Sequence, residues 1–350
     1  MLDNKRLKLY DNDDKLEVGN MIDKNNELLT VIVTCYNGQK YLPTFFDQLN
    51  RQTYKNLKLV IVNDGSTDES LKLIKEYCNA HSFAKYIDSQ NFGVATAKGM
   101  GLALAEGEFV TFCDVDDLLH PKHFEVLMTT VLDSGADMGV CSFKRVKENK
   151  IKRLNFDRAL PDKKLEVLDK ISAMQTFFSQ KKYDYVLWNK VFSLKTLKNS
   201  GARFIEGTRY GEESPFIYSF LKASDKVAFK KVKSYYYIQR ESSLMHVGFN
   251  PTRLDIFRNI DLVYKDCLIN YPTVSPYVNS MRAGYACGLL YFMKKGKHAG
   301  ANDVKQTIDR LIEDCSKLKY CKKTSAFRRI FIPFVVPLAK IAFNKKLKNK

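Results

Sequence analysis

From Leu28 onward the chain alternates short β-branched apolar runs with longer amphipathic ones. That is the pattern of a parallel sheet covered on its faces by helices. The apolar runs predict strands at Leu29–Thr34, Leu57–Asn63, Ala84–Asp88, Glu108–Cys113 and Asp137–Ser142. Between them, Tyr41–Gln52, Thr67–Ala80, Val94–Ala105 and Pro121–Ser134 predict helices. Each follows turn chemistry: Asn37-Gly38, Asp64-Gly65-Ser66, Asn91-Phe92-Gly93, and Pro121 near an N1 position. The result is an α/β order, β-α-β-α-β-α-β-α-β, in which ligands gather at the carboxyl ends of the strands. After about residue 145 the alternation gives way to a basic, turn-poor stretch, an apolar segment at Tyr185–Phe192 and a helix over Ser214–Ala223. Beyond Asn250 the pattern is mostly helical, and no internal repeat or low-complexity segment occurs.

A hydrophobic share of 45% in 350 residues supplies an ample core for one large or two modest domains. Charge changes the picture more: 57 basic against 39 acidic residues leave +18, which calls for an anionic partner. Nucleic acid is set aside, because no recognition helix or aromatic sheet motif is present. The eight cysteines stand singly, with no CxxC pair and no His spacing of a zinc site, so reduced thiols in a cytosolic protein are expected. The first twenty residues are polar and lack a signal-peptide core, so export is not expected. No stretch approaches the length of a membrane span. From Cys321 onward nine Lys or Arg and no acid alternate with large apolar residues, which suits a peripheral helix on an anionic membrane face.

Candidate chemistry lies at the strand ends. The fourth strand runs into Asp114-Val115-Asp116-Asp117, carboxylates that repel one another unless a cation neutralises them. Hard oxygen ligands of this kind suit Mg²⁺ or Mn²⁺, which bridge phosphates; the competing use is a solvated helix cap. The second strand ends in Asn63-Asp64-Gly65-Ser66, where Asp64 is an acceptor for the N–H of a base, and the first ends in Thr34-Cys35-Tyr36-Asn37, where Tyr36 offers a ring to a nucleobase. Neither GxGxxG nor GxxxxGK[ST] occurs there, which argues against dehydrogenases and P-loop ATPases.

Four ordered pieces resemble the inverting glycosyltransferases of family 2, which have the GT-A fold: Val31–Asn37, Val60–Ser66, Asn91–Gly101 and Phe112–Asp117. The resemblance covers residues 28–145 strongly. It extends more weakly to about 246 through Trp188-Asn189-Lys190, Gly211-Glu212-Glu213 and Tyr236–Arg240 with Ser243 and His246. It implies a Rossmann-like mixed sheet flanked by helices over 28–248, with 28–145 as the nucleotide-sugar half and 146–248 as the acceptor half. An N-terminal extension at 1–27, a helical region at 249–325 and a basic amphipathic tail at 326–350 complete the expected layout.

The same resemblance implies a nucleotide site of Thr34, Tyr36, Asn37, Asp64, Gly93, Lys98, Asp114 and Val115, with Tyr36 and Asp64 on a uridine base. Asp116 is the implied principal ligand of Mg²⁺ or Mn²⁺, Asp114 faces ribose and metal, and His246 is a candidate metal or phosphate contact. Glu213 stands where the family has the Asp of Gly-Glu-Asp, its general base, and the extra methylene keeps Glu212 as the alternative. Asn63 replaces a common Asp and Lys98 a common Arg. On the acceptor side, Trp188 is a sugar platform or a core tryptophan, Asn189 lies beside it, and Arg240 holds phosphate or a surface salt bridge. Independently of any family, a sugar hydroxyl needs a base and a leaving diphosphate needs positive charge.

Two other classes compete. A haloacid-dehalogenase-like phosphatase shares an apolar strand followed by Asp114-Val115-Asp116-Asp117, but its acidic motifs come in the reverse order. A non-catalytic polymer- or membrane-binding module of the same fold would need only the basic surface. The expected function is sugar transfer from a nucleotide-sugar, a UDP-sugar above all, to a glycan or polyol-phosphate acceptor in cell-surface polysaccharide or wall polymer synthesis. The expected place is the cytoplasmic membrane face, with homo-oligomerisation through 250–320 left open.

Overall fold

The computed structural model describes residues 27–180, 182–240, 251–282 and 284–285. Among these residues nine strands form one mixed sheet. In chain order they are β1 Leu29–Cys35, β2 Leu57–Asp64, β3 Ala84–Ser89, β4 Phe109–Asp114, β5 Leu118–Leu119, β6 Met138–Lys147, β7 Leu165–Asp169, β8 Lys190–Ser193 and β9 Lys226–Gln239. The helices are α1 Leu42–Asn50, α2 Ser70–Ala80, α3 Val94–Ala103, α4 His123–Leu132, α5 Lys170–Ser179, α6 Leu194–Ser200, α7 Glu213–Ala223 and α8 Leu254–Asn270. Strand order is β3-β2-β1-β4-β8-β6-β9-β5, with β7 on the flank of β9.

The first four strands are parallel, as the alternating runs predict. The second half is assembled differently. β8 enters antiparallel between β4 and β6, and β9 lies parallel to β6 across register shifts around Ser142. β6 therefore continues five residues past its expected end at Ser142. β9, fourteen residues long, has no counterpart in the predicted set: four lysines interrupt its apolar positions, and the tertiary pairing overrides that local composition.

Because side chains alternate along a strand, the sheet has two distinct faces. Val31, Val33, Leu59, Ile61 and Cys113 pack beneath α1, α2 and α4. Ile32, Val110 and Phe112 point the other way, into a core shared with α5, α7 and α8. There Phe112 meets Phe192, Phe204 and Phe216 edge-on, with centroids 5.7–6.3 Å apart. Such pairs add stabilisation beyond the area they bury.

Helix α3 lies close on this second face because its inner positions are small. A Cβ on Gly101 would stand 2.5 Å from Ile32 Cγ2. Ala95 and Ala97 are likewise buried, and Lys98, three residues before Gly101, is carried inward on the same face. Among the described residues no helix is long and apolar enough to cross a membrane. The expected extension at 1–27 falls, but for Glu27, outside the described residues, as does the tail at 326–350.

Candidate active site

Register brings the predicted strand-end residues together. Thr34 pairs with Asp114 across β1 and β4, and both share the face of Ile32 and Phe112. Asp64 ends β2 on that face too. Its buried carboxylate accepts the N–H groups of Phe92 at 2.9 Å and Gly93 at 3.1 Å, fixing the loop that starts α3. Two N–H donors leave lone pairs on both oxygens. Burial raises the Asp64 pKa, against those N–H groups and the nearby Arg209. Tyr36, just past β1, keeps 53% of its surface exposed. Asn37 joins the first two strand-end loops: its N–H donates to Ser66 Oγ at 2.9 Å and its Oδ1 accepts from Thr67 N–H at 2.8 Å.

The acidic loop divides its carboxylates by role. Asp117 is buried, accepting from Ile238 N–H at 2.7 Å and from Tyr235 Oη at 2.9 Å, so it anchors the loop to β9. Burial and then the charges of Asp114 and Asp116 hold its carboxyl well above the usual range. Val115 turns its side chain into the core against Gly38, leaving only its backbone to face a ligand. Asp114 is pushed up to about 6, by burial first and by Asp116 and Glu212, with Lys98 opposing. Asp116 is the open member, its side chain 46% exposed, and its pKa is raised by burial against the pull of Arg240.

Among the described residues no three His, Cys, Asp or Glu side chains converge as a ready-made metal cage. The loop instead presents one half-exposed carboxylate, with Asp114 beside it, in a cluster whose pKa values are raised by burial first and, for Asp114 and Asp117, by neighbouring carboxylates. Oxygen donors in that number suit a Mg²⁺ or Mn²⁺ that keeps most of its shell for phosphate oxygens and water. The donor set fits such a cation.

A second acidic pair lies where α7 begins. Gly211, at φ +74°, has its Cα hydrogen edge so close to α8 that a Cβ would stand 2.9 Å from Ile256 Cα. This turn delivers Glu212 and Glu213 to Lys98, whose Nζ lies 2.8 Å from Glu212 Oε1 and 3.4 Å from Glu213 Oε1. Lys98 and Glu212 are almost fully enclosed, whereas 19% of the Glu213 side chain is exposed. Glu212 thus takes the shorter contact with the lysine, and Glu213 retains access. Burial first, then the neighbouring Glu212, raise the Glu213 carboxyl to about 7, with Lys98 opposing. The two carboxylates raise the Lys98 pKa despite its burial, so it remains a cation, and Asp114 contributes to the same field. Lys98 therefore lies between the acidic loop and the α7 pair, rather than free beside a nucleotide.

Three predicted acceptor residues sit elsewhere than expected. Trp188 is 6% exposed and stacks on Tyr235 with centroids 4.1 Å apart, so no ring face is open to a sugar. It supports the acidic loop from beneath, since Tyr235 carries the hydroxyl bound to Asp117. Asn189 is buried, donating to Cys141 O at 2.9 Å and accepting from Lys190 Nζ at 2.8 Å. Arg240 reaches the acidic loop: its Nη1 lies 3.0 Å from Asp116 Oδ2, its Nη2 bonds the Asp116 carbonyl, and its guanidinium covers the Tyr41 ring at 4.6 Å. His246 lies outside the described residues.

The structure also adds residues. Asn259 of α8 is buried and donates to Gly211 O at 3.2 Å, holding the turn before Glu212. Its signal in the sequence is an amide within the apolar stripe of Leu254, Phe257, Ile260 and Val263, a position that demands a buried acceptor. Arg209, near Asp64, and Tyr235 carried no local signal, because only tertiary pairing brings them to the strand ends.

Residues 30–198 match the glycosyl transferase family 2 model. The chain is 30% identical over 227 residues to glycosyltransferase GlyA of Streptococcus pneumoniae, covering 63% of this chain and 32% of that one. It is 28% identical over 252 residues to glycosyltransferase GlyG of the same organism, covering 70% and 82%. The match therefore spans about a third of the first relative and most of the second. Among solved structures, S. aureus TarS 1-349 in complex with UDP-GlcNAc superposes with a TM-score of 0.63 at 18% identity, covering 90% of this chain and 88% of that one. That likeness carries the fold.

Proposed function

This chain carries a family 2 glycosyltransferase domain of the GT-A fold, and on that premise we propose that it transfers a sugar, with inversion, from a UDP-sugar to an acceptor hydroxyl. The observation that carries the reading is Glu213: a carboxyl raised to about 7, accessible on one side and held by Lys98 on the other, on the sheet face of Asp114. A general base works best with its pKa near the operating pH. Glu213 takes the proton of the acceptor hydroxyl as the oxygen attacks the anomeric carbon from the face opposite the departing diphosphate, which inverts that centre.

Donor binding divides among the strand-end loops. The exposed Tyr36 ring lies against the base, the Asp64 carboxylate accepts its N–H, and Thr34 with Asp114 lines the ribose. Mg²⁺ or Mn²⁺ held at Asp116, with Asp114 beside it, would neutralise charge on the leaving diphosphate. Lys98 pairs with Glu212 and so helps fix Glu213 in place; its own charge extends towards Asp114. The acceptor belongs to a cell-surface glycan or polyol-phosphate polymer, and the basic stretch at 326–350 attaches the protein peripherally to an anionic membrane face.

A panel of nucleotide sugars, followed by release of the nucleoside diphosphate with and without Mg²⁺ or Mn²⁺, tests this reading. Metal-stimulated release from one UDP-sugar is expected. Hydrolysis of p-nitrophenyl phosphate that is lost in Asp114→Asn, with every nucleotide sugar left intact, would replace it by the phosphatase reading.

A further inference from the structure

The end of β6 and the turn after it read Lys-Arg-Val-Lys-Glu-Asn-Lys-Ile-Lys-Arg over residues 144–153, six cations and one acid. In the fold they surround a groove of about 410 Å³ lined by Lys144, Arg145, Lys147, Lys150, Arg153 and Gln239. None of these five cations has a carboxylate partner among the described residues, and all five are exposed. The one acid of the run, Glu148, is directed elsewhere, 3.7 Å from Arg240 Nε and 3.6 Å from Lys40 Nζ. Five like charges held together without a counter-charge repel one another and so favour an anionic ligand.

The cations are not on a loose loop. Residues Glu148–Arg153 form a 3-10 turn, and Ile151 and Leu154 pack it onto Val146, Tyr236 and Ile238. The groove also adjoins the acidic loop through β9. Gln239, on its wall, precedes Arg240, which binds Asp116, and the neighbouring Ile238 N–H binds Asp117.

We propose that this groove binds a phosphodiester-linked stretch of the acceptor polymer and guides its end towards Glu213, a proposal that rests on the sugar-transfer reading above. No aromatic side chain lines it, so it lacks the stacking surface that single-stranded nucleic acid uses. Its concave form and its lack of exposed large apolar residues fit a polymer chain rather than a lipid surface, where an apolar face would enter the bilayer.

The test uses the full chain and three probes: poly(glycerol phosphate), a thymidine oligonucleotide, and vesicles containing phosphatidylglycerol. Binding is titrated at several salt concentrations for wild type and for a variant combining Lys147→Gln, Lys150→Gln and Arg153→Gln, with circular dichroism to check that both are folded. The expected result is polymer binding weakened about tenfold or more in the variant, with a salt slope shallower by about 2, one counterion for most of the charges removed. Equal polymer binding by the two proteins overturns the proposal. So does a loss confined to vesicles, which would assign the groove to the membrane, or a loss confined to the oligonucleotide. The two readings fail separately: absence of nucleotide-sugar turnover in wild type sinks the activity, whereas persistent polymer binding by the variant sinks the groove.

Discussion

Two acid clusters face the candidate site, and each is answered by one cation from more than a hundred residues away. At the start of α7, Lys98 and Glu212 form a pair enclosed on every side, with Glu213 at its edge. At the acidic loop, the guanidinium of Arg240 is buried but its partner Asp116 is half-exposed. A buried pair cannot exchange partners without leaving a charge uncompensated in a poorly solvated interior, whereas a half-exposed carboxylate exchanges with water and ions at small cost. The α7 cluster is therefore a fixed electrostatic frame, and the acidic loop is the exchangeable pole.

The sharpest way to break this division is Glu213→Gln. Removing a positioned base is expected to lower kcat about a thousandfold while UDP binding, measured by calorimetry, is retained. A loss under about tenfold would transfer the role to Glu212 and would mean that the enclosed member, not the accessible one, does the chemistry. At the other pole, Asp116→Asn is expected to cost about a hundredfold in turnover and to flatten the metal titration, since the stabilisation at stake is charge on the diphosphate. Chelation with EDTA is expected to reproduce that loss in wild type. Turnover indifferent to both would separate Asp116 from any metal.

Lys98 tests the frame itself. Lys98→Met leaves Glu212 buried without its partner, which is expected to destabilise the fold by about 3 kcal/mol in urea unfolding. A change near zero would show that water reaches the pair, and the contrast between the two clusters would dissolve. A smaller effect follows from protonation. Asp114 and Glu213 have folded pKa values raised to about 6 and about 7, above those of an unfolded chain. The folded state then binds more protons than the unfolded one, so their contribution falls as pH rises from about 4 to about 7. The melting temperature of the ligand-free protein is expected to decline across that window, and turnover to rise through about pH 7 as Glu213 ionises. A melting temperature that rises over the same range would reverse the assigned shifts.

The first half of the molecule was legible in the sequence because its strands are parallel and joined by helices, and β1, β2 and β4 are buried on both faces, so each run marks one element. β1 to β4 fall where the runs predict, and Tyr36, Asp64 and Asp114 stand at strand ends as their positions require. The second half hid its order. β9 has lysines at four of fourteen positions and is held by β6, β7 and β5 instead of by its own pattern. Trp188 shows the same limit from the other side: an aromatic beside a predicted site reads equally as platform or core, and only the pairing of β6 with β9 places Tyr235 against its ring. Lys98 could be read as a basic residue near phosphate, but its partners are 114 and 115 positions distant and no local spacing announces them.

The smallest effect distinguishes exchange from permanence at Asp116. Arg240 Nη1 binds one oxygen of the Asp116 carboxylate, so protein and any cation held there would compete for the same group. Because Asp116 is half-exposed, the pair is worth little to stability, and Arg240→Gln is expected to change unfolding free energy by less than about 1 kcal/mol. The same variant removes the competitor. The Mg²⁺ concentration for half-maximal turnover is then expected to fall by about two- to fivefold, the factor that corresponds to a pair of about 0.5–1 kcal/mol. A rise in that concentration would mean that Arg240 holds Asp116 in the orientation the metal needs, and the acidic loop would then be a second fixed frame built like the first.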